Sequence, residues 1–365
     1  MIPVHEPVLE GNEKKYVMNC LESRWISSHG DYIGKFEKKF SSYCNVKYGI
    51  ATTSGTSALH LCTSALKLKH DDEVIMPSFT MIAPALAVKY TGAKPVFIDA
   101  EPKSWTIDVS KIEEKITKKT KAIIAVHIYG HPCCMDELME IADKHRLYLI
   151  EDAAESHGAL YNNRKTGSFG HISAFSFYSN KIVTCGEGGM VVTNDKKLAE
   201  RVRWLKNFCI DNERRYYHKE MGFKYPMTNI QAAIGLAQLE NVEKFIQDKR
   251  RIAKKYNSLL SEIPGITTPY EDKRVRNVYW MYGILIEGEF GKSRDKVKKM
   301  LFKKGIDTRF FFTGMHKQPI FEQDGRKFSV TDNLEKKGMY IPSSSNLSDE
   351  QINYICSSIA KIQKK

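Results

Sequence analysis

The N-terminal half of the chain alternates between short apolar runs and stretches with a helical pattern of apolar residues. The runs are typical of buried strands and lie at residues 74–76, 95–98, 122–128, 147–150, 173–177 and 190–193. Helical patterns separate the early runs, at residues 57–68, 83–90 and 136–146. This repetition predicts an α/β fold, with a mixed, mostly parallel sheet flanked by helices on both faces.

The C-terminal part follows a different pattern. Residues 230–260 predict one long helix with an apolar side. After it, a strand at 281–286 and helices at 294–303 and 349–361 fit a smaller α+β unit. We therefore expect a large domain over residues 1–245 and a small C-terminal domain over residues 246–365.

Lys181 stands between two strand-like runs, and a glycine-dense stretch follows it at residues 186–189. Burial between strands disfavours the charged form of a lysine and lowers its pKa, which makes the amine a nucleophile towards carbonyls. Taken alone, this lysine is better explained as an ordinary residue at a strand end whose ammonium reaches water.

Acidic residues at the end of an earlier apolar run favour a functional role for Lys181. Glu151 and Asp152 follow the apolar run 147–150, at the strand end where open α/β sheets bind their ligands. Asp152 and Lys181 could form a simple ion pair. They could also hold opposite ends of pyridoxal 5′-phosphate (PLP), whose aldehyde is bound by a lysine and whose ring nitrogen is paired with an acid.

A hydroxyl-rich turn at residues 54–57 leads into the first helical pattern. Free N–H groups at a helix start attract phosphate, Gly55 permits close approach, and Thr56 and Ser57 add hydroxyl donors. Ser176 offers another hydroxyl, although strand alternation alone does not place it on the same side as Lys181. A bend near Asn180 would be required.

Several ordered motifs make the chain resemble the DegT/DnrJ/EryC1/StrS sugar aminotransferases, which are PLP enzymes of fold type I. The matching stretches are residues 54–58, 76–81, 151–155, 176–181, 186–189, 222–235 and 316–319. The resemblance implies that Lys181 forms the Schiff base and moves the proton between substrate and cofactor carbons. It also implies that Asp152 binds the pyridine nitrogen, that Met81 lies over the ring and that Glu155 lies near the ring hydroxyl. The phosphate would be held by Gly55, Thr56, Ser57 and Ser176.

The resemblance further implies a homodimer whose active sites are shared across the interface. Family members often have Gly-Tyr/Phe-Asn-Tyr-Arg where this chain has residues 222–226. Lys224 replaces an asparagine that reaches the phosphate of the neighbouring subunit, and a charge-assisted contact could substitute for it. Asn229 is a second candidate for that contact. Trp25, Ser27, Ser28 and His316 are candidate substrate ligands, with packing of surface loops as the alternative.

The implied reaction is transfer of an amino group from L-glutamate to the C4 keto group of a nucleotide-linked 4-keto-6-deoxy sugar. A GDP-linked sugar is favoured, with UDP- or dTDP-linked sugars as alternatives. A PLP-dependent sugar dehydratase and a non-catalytic regulatory relative are the rival classes. Dehydratases of this family carry histidine in place of the lysine, so Lys181 favours the aminotransferase.

Composition agrees with a cytoplasmic enzyme. The eight cysteines among 365 residues contain no C-x-x-C pair, which favours reduced thiols over a disulfide framework or a metal site. We expect no membrane span and no signal peptide.

The net charge of +13 comes from lysines spread along the chain, and no nucleic-acid module accompanies it. Part of the excess can attract a substrate that bears a diphosphate.

Overall fold

A computed structural model describes residues 1–211, 213–214, 216–321, 325 and 327–364. The helices are α1 (Glu13–Ser23), α2 (Asp31–Tyr43), α3 (Gly55–Ala65), α4 (Ala83–Tyr90), α5 (Met135–His145), α6 (Lys196–Leu205), α7 (Asn229–Glu240), α8 (Val242–Leu260), α9 (Arg294–Phe302), α10 (Ser329–Lys337) and α11 (Asp349–Lys364). The strands are β1 (Tyr48–Thr52), β2 (Glu73–Pro77), β3 (Lys94–Ile98), β4 (Thr120–Val126), β5 (Tyr148–Asp152), β6 (Leu160–Tyr161), β7 (Arg164–Lys165), β8 (Ile172–Ser176), β9 (Gly189–Thr193), β10 (Ile266–Thr267), β11 (Val275–Arg276), β12 (Tyr282–Ile286), β13 (Arg309–Phe310) and β14 (Gly338–Ile341).

The main sheet has seven strands in the order β1-β9-β8-β5-β4-β2-β3. Strands β3, β2, β4, β5 and β8 run parallel to one another, and β9 is antiparallel to both β8 and β1. The sheet is therefore mixed and mostly parallel, which confirms the α/β prediction. Parallel neighbours bring the carboxyl ends of β2, β4, β5 and β8 to one edge, where their loops meet.

Both faces of the sheet are covered. Along β4, Ile124 and Val126 belong to one apolar cluster, whereas Ile123 and Ala125 belong to another. Successive side chains of a strand point to opposite faces, so a strand with helices on both sides must be apolar throughout. This is the physical reason why β4 is a continuous apolar run in the sequence.

The C-terminal unit contains a four-stranded antiparallel sheet in the order β10-β12-β14-β13, with its own apolar cluster. The first residues of the chain join this unit. Ile2 pairs with Ile306, and the Ser343 N–H donates to the Val4 carbonyl. The proposed boundary at residue 245 falls within α8, which packs against α11.

The expectation of one helix over residues 230–260 is wrong. The segment forms two helices, α7 and α8, which are separated at Asn241 with φ −108° and ψ 6°. Asparagine is a weak helix former, and the break separates two packing tasks: α7 packs against α1 and α2, and α8 against α11. Other predicted elements differ from the observed ones mainly at their ends. For example, α3 ends at Ala65 and β4 at Val126.

Candidate active site

A cavity of about 390 Å³ lies at the carboxyl edge of the main sheet. Its wall includes the ends of β4, β5 and β8, the start of α3 and the loop after β2. The lining residues are Ser54, Gly55, Thr56, Leu59, Thr80, Met81, Ala83, Pro84, Val126, Asp152, Ala154, Glu155, Ser176, Tyr178, Asn180, Lys181, Glu187, Trp280, Phe312 and Tyr340. The volume and the mixture of apolar walls with a few polar groups are typical of a small-molecule site.

Lys181 lies in the loop that follows β8. Its N–H donates to the Tyr178 carbonyl at 2.9 Å, which closes a turn between Ser176 and Lys181. This bend, which strand alternation could not supply, brings Ser176 and Lys181 to the same cavity. The Lys181 side chain is 10% exposed, and burial lowers the pKa of its amine, although the nearby Glu155 and Asp152 carboxylates oppose that shift.

Asp152 is the last residue of β5 and lines the cavity, whereas its neighbour Glu151 faces away from it. Glu151 accepts hydrogen bonds from backbone N–H groups of the 167–170 loop and from Ser173, and lies 3.1 Å from His127 Nε2. Strand alternation assigns the two adjacent carboxylates to different tasks. Burial raises the pKa of Asp152, and its Oδ1 accepts from the Ala154 N–H at 3.1 Å.

Glu155 is held between the backbone and the lysine. Its Oε2 accepts a hydrogen bond from the Tyr129 N–H at 2.7 Å, and its Oε1 lies 3.7 Å from Lys181 Nζ. Burial raises the pKa of Glu155 to about 7 against the opposing charge of Lys181. The pKa of the carboxyl is raised and that of the amine is lowered, so the two shifts bring the proton affinities of the pair closer together and favour proton exchange between them.

The turn before α3 is built for close approach. Ser54 caps the helix, and its side chain and that of Ser57 bond reciprocally to each other's backbone N–H. A Cβ at Gly55 would lie 2.6 Å from the Ser176 Cβ, so only glycine lets the turn meet the end of β8. Thr56 lines the cavity, whereas the Ser57 hydroxyl is engaged within the turn by Ser54 and Thr53.

These residues fit PLP. An amine, a buried carboxylate and a helix start with Gly55 and Thr56 at its first positions line one cavity. Within the described part of the chain, Thr80 Oγ1 and Asn180 Oδ1 are buried without a hydrogen-bond partner, and both residues line this cavity. A buried polar atom without a hydrogen-bond partner destabilises the folded protein, so these two atoms indicate that the cavity binds a polar ligand.

Met81 lines the cavity at the loop after β2 and is 45% exposed. Lys224 lies outside the cavity of its own chain, with its Nζ 5.6 Å from the centre of the Phe208 ring. The neighbouring Tyr225 carbonyl accepts from the Thr53 N–H, so the segment containing Lys224 nevertheless runs beside the turn at Ser54.

Asn229 is buried at the start of α7 and holds the loop between α1 and α2. Its Nδ2 donates to the Trp25 carbonyl at 2.7 Å, and its Oδ1 accepts from the Tyr32 N–H at 3.0 Å. Ser27 and Ser28 lie in that loop, where the Ser27 carbonyl accepts from the Asn229 N–H. The structure thus brings these residues together with one another, apart from the lysine cavity of the same chain.

His316 also lies apart from the cavity lining. Its Nδ1 is 2.7 Å from Ser78 Oγ, its Nε2 is 3.2 Å from Asp332, and its ring stacks on Phe328. The Ser–His–Asp order resembles a hydrolytic triad. However, Ser78 is fully buried and cannot meet a substrate, so the arrangement ties the loop after β2 to α10.

Sequence reasoning missed the cavity residues that come from distant parts of the chain. The centre of the Trp280 ring lies 3.6 Å from Lys181 Nζ. Phe312 and Tyr340 reach the same wall from the C-terminal unit. Their sequence neighbourhoods contain no phosphate-type turn and no acid at a strand end, so no local signal identifies them.

The family model of the DegT/DnrJ/EryC1/StrS aminotransferases matches residues 7–360. GDP-perosamine synthase from Escherichia coli O157:H7 is 46% identical over 358 residues, with 98% of this chain and 97% of the relative covered. GDP-perosamine synthase from Vibrio cholerae is 42% identical, with 98% of each protein covered.

Solved structures of two further proteins are similar to this chain over nearly its whole length. S. venezuelae DesV, in complex with a ketimine intermediate, is 32% identical, with a TM-score of 0.90 over 97% of this chain and 95% of that chain. DesI, solved in the presence of its TDP-sugar product, is 30% identical, with a TM-score of 0.92 over 100% of this chain and 93% of that chain. The cofactor is PLP, which the lysine, the carboxylate and the turn of the cavity fit. The chain therefore belongs to the DegT/DnrJ/EryC1/StrS aminotransferase family.

Proposed function

We propose that this enzyme transfers the amino group of L-glutamate to the C4 keto group of a GDP-linked 4-keto-6-deoxy sugar, forming GDP-perosamine. The observation that carries the proposal is the identity of 46% and 42% with two GDP-perosamine synthases over nearly the whole chain. Catalysts that share this much sequence over their full length share the cofactor site and most of the surface around it.

The residues of the cavity support this chemistry. When bound, PLP supplies an aldehyde that carries the amino group and a ring that withdraws electrons from the reacting carbon. Lys181 would hold the aldehyde and move the proton at the substrate carbon, because it is the amine that lines the cavity. Asp152 would pair with the ring nitrogen, and Glu155 would keep a proton available next to Lys181. Met81 would cover the ring.

The retained lysine favours amination over the rival reactions. A dehydratase of this family carries histidine at that position, and a regulatory relative has no need of a buried amine beside two carboxyl groups. Lys181 lines the cavity beside the Glu155 and Asp152 carboxyl groups, as proton transfer at this site requires. UDP- and dTDP-linked sugars remain the alternative substrates, and DesI was solved with a TDP-sugar.

A panel of substrates tests the proposal. The purified enzyme is incubated with PLP, glutamate and the GDP-, UDP- or dTDP-linked 4-keto-6-deoxy sugar, and the amino sugar is measured by mass spectrometry. We expect amination of the GDP-linked sugar with the highest kcat/KM. Faster amination of a UDP- or dTDP-linked sugar would contradict the assignment of GDP. Failure to form an amino sugar from any of the three nucleotide sugars would contradict the proposal as a whole.

The proposal includes a homodimer in which each active site is completed by the partner. Large apolar side chains are exposed around the open side of the cavity and beside Lys224, among them Met81, Tyr178 and Phe208. Exposed apolar groups of this size favour a covered surface. On this proposal, Lys224 and the loop with Trp25, Ser27 and Ser28 serve the cavity of the partner subunit.

Subunit mixing tests the shared site. Lys181→Ala and Lys224→Ala enzymes are each expected to be impaired, and a mixture exchanged under mild denaturant is expected to regain activity. Only a mixed dimer with a shared site has one cavity in which Lys181 and Lys224 are both intact. No regain of activity in mixed dimers, or an active monomer in sedimentation analysis, would contradict the proposal.

We place the enzyme in the cytoplasm. The eight cysteines are all free thiols, seven of them buried, which suits a reducing compartment. Within the residues that the structure describes, no helix has the length and apolar character needed to cross a bilayer. Retention of the enzyme in the cytoplasmic fraction after osmotic shock is the expected result.

A further inference from the structure

Trp280 connects the C-terminal unit to the catalytic lysine. It precedes β12, and its side chain is buried in the wall of the cavity. The residue before it, Tyr279, has φ +47°, a left-handed conformation that is unfavourable for a bulky residue. The Asn277 side chain fixes this turn by accepting from the Tyr279 N–H at 2.8 Å. The backbone is thus held in an uncommon conformation where it delivers the indole.

The indole makes two different contacts with the segment that carries the lysine. Its Nε1–H donates to the Asn180 carbonyl at 2.7 Å, which fixes the peptide immediately before Lys181. The centre of its ring lies 3.6 Å from Lys181 Nζ, which is within the range of a cation–π interaction. One contact fixes the backbone of the lysine, and the other stabilises the charged form of its amine.

The backbone of Trp280 is anchored from the side away from the lysine. Lys249, on α8, is 1% exposed, and its Nζ donates to the Trp280 carbonyl at 2.9 Å and to the Ser343 carbonyl. A buried lysine amine that donates to carbonyls on two segments ties both segments to one helix. The position of the indole is therefore set by the tertiary structure of the C-terminal unit.

We propose that Trp280 is a positioning residue for Lys181, in which the indole N–H fixes the backbone of the lysine and the ring face holds its ammonium. The Glu155 and Asp152 carboxyl groups act on that ammonium, whose charge in turn acts on His157 and His5. The indole carries no charge, so replacing it changes no formal charge.

Two substitutions separate the two contacts. Trp280→Phe keeps an aromatic face and removes the N–H, whereas Trp280→Leu removes both. Trp204→Phe is the matched control, because the Trp204 Nε1–H also donates to a backbone carbonyl, that of Ile210 at 3.1 Å, away from the cavity. The readout is the pH profile of Lys181 acetylation by acetic anhydride, followed by mass spectrometry on full-length enzyme freed of PLP.

We expect Trp280→Leu to increase the acid dissociation constant of the Lys181 ammonium roughly two- to tenfold, since the ring no longer stabilises the charge. Trp280→Phe is expected to leave that constant within about twofold of wild type and to lower kcat, with little change in KM for the sugar nucleotide. Trp204→Phe is expected to change neither. An unchanged or decreased constant in the folded Trp280→Leu enzyme would overturn the proposal, as would a loss of thermal stability with no change at Lys181.

Of the two measurements, only that of kcat rests on the proposed function, because it requires the sugar substrate. The acetylation profile requires no sugar nucleotide. A failure of the proposed function therefore leaves the Lys181 titration informative, and a failure of the titration says nothing against the proposed substrate.

Discussion

Lys181 Nζ lies 3.7 Å from Glu155 Oε1, inside a cavity where both side chains are buried. Burial lowers the pKa of the amine and raises that of the carboxyl to about 7, so each group acts against the other's desolvation. The Tyr129 N–H holds the second oxygen of Glu155, which leaves the first oxygen directed at the lysine. Lys181 and Glu155 are therefore the two side chains placed to exchange a proton within the cavity.

Removal of the lysine is expected to stop turnover. Lys181→Ala should lower kcat by more than about 10³-fold, because the group that moves the proton at the substrate carbon is lost. The visible absorbance of the bound cofactor should shift at the same time. Lys165→Ala is the control, since Lys165 is half-buried and donates to the Tyr43 carbonyl away from the cavity. Full turnover in the Lys181→Ala enzyme would exclude the catalytic assignment.

Neutralising the carboxylate is expected to make the lysine more acidic. Glu155→Gln keeps an oxygen that can accept from the Tyr129 N–H, but it removes the negative charge that raises the pKa of Lys181. The pKa of the amine should therefore fall. The midpoint of Lys181 labelling against pH measures the change, and an unmoved midpoint would show that the charge of Glu155 has no influence.

The turn at Gly55 is expected to tolerate no side chain. In Gly55→Ala the new Cβ meets the Ser176 Cβ at 2.6 Å, so the turn must move away from the end of β8. We expect PLP affinity to weaken at least about tenfold, measured by fluorescence titration. Gly34→Ala within α2 is the matched control, because nothing lies within 4 Å of its Cβ. Equal affinities in the two variants would contradict the role of the turn.

Acid stability is expected to depend on His157. This histidine is buried among phenylalanine rings, and burial lowers its pKa from 6.5 to about 3. Between these values the unfolded chain holds one more proton than the folded chain, so stability is lost as the pH falls from about 6.5 to about 3, by about 1.4 kcal/mol per pH unit.

Denaturant unfolding at several pH values tests this dependence. His157→Phe should flatten the acid limb of the stability curve by that slope, whereas His29→Phe replaces an exposed histidine and is the matched control. An identical acid limb in wild type and His157→Phe would place the acid sensitivity elsewhere in the protein.

Local sequence patterns were sufficient for the α/β architecture and for the selection of Gly55, Asp152 and Lys181, which line one cavity. A continuous apolar run such as β4 is buried on both faces wherever it lies in the sheet, so its sequence already specifies the environment. Asp152, Gly55 and Lys181 stand at strand ends and turns, and the edge of a parallel sheet gathers such positions. The family motifs then supplied the expected chemistry.

The sequence alone indicated that a lysine, an acid and a glycine turn belong to one site, because strand ends and turns carry them and the family motifs assign them to one cofactor. Only the tertiary structure decided which carboxylate lies against the amine: Glu155 Oε1 is 3.7 Å from Lys181 Nζ, whereas Glu151 points away from the cavity. It also decided that Trp280 comes from about 100 residues away to contact Lys181. Contacts of that separation depend on how two units pack, and no local pattern encodes the packing.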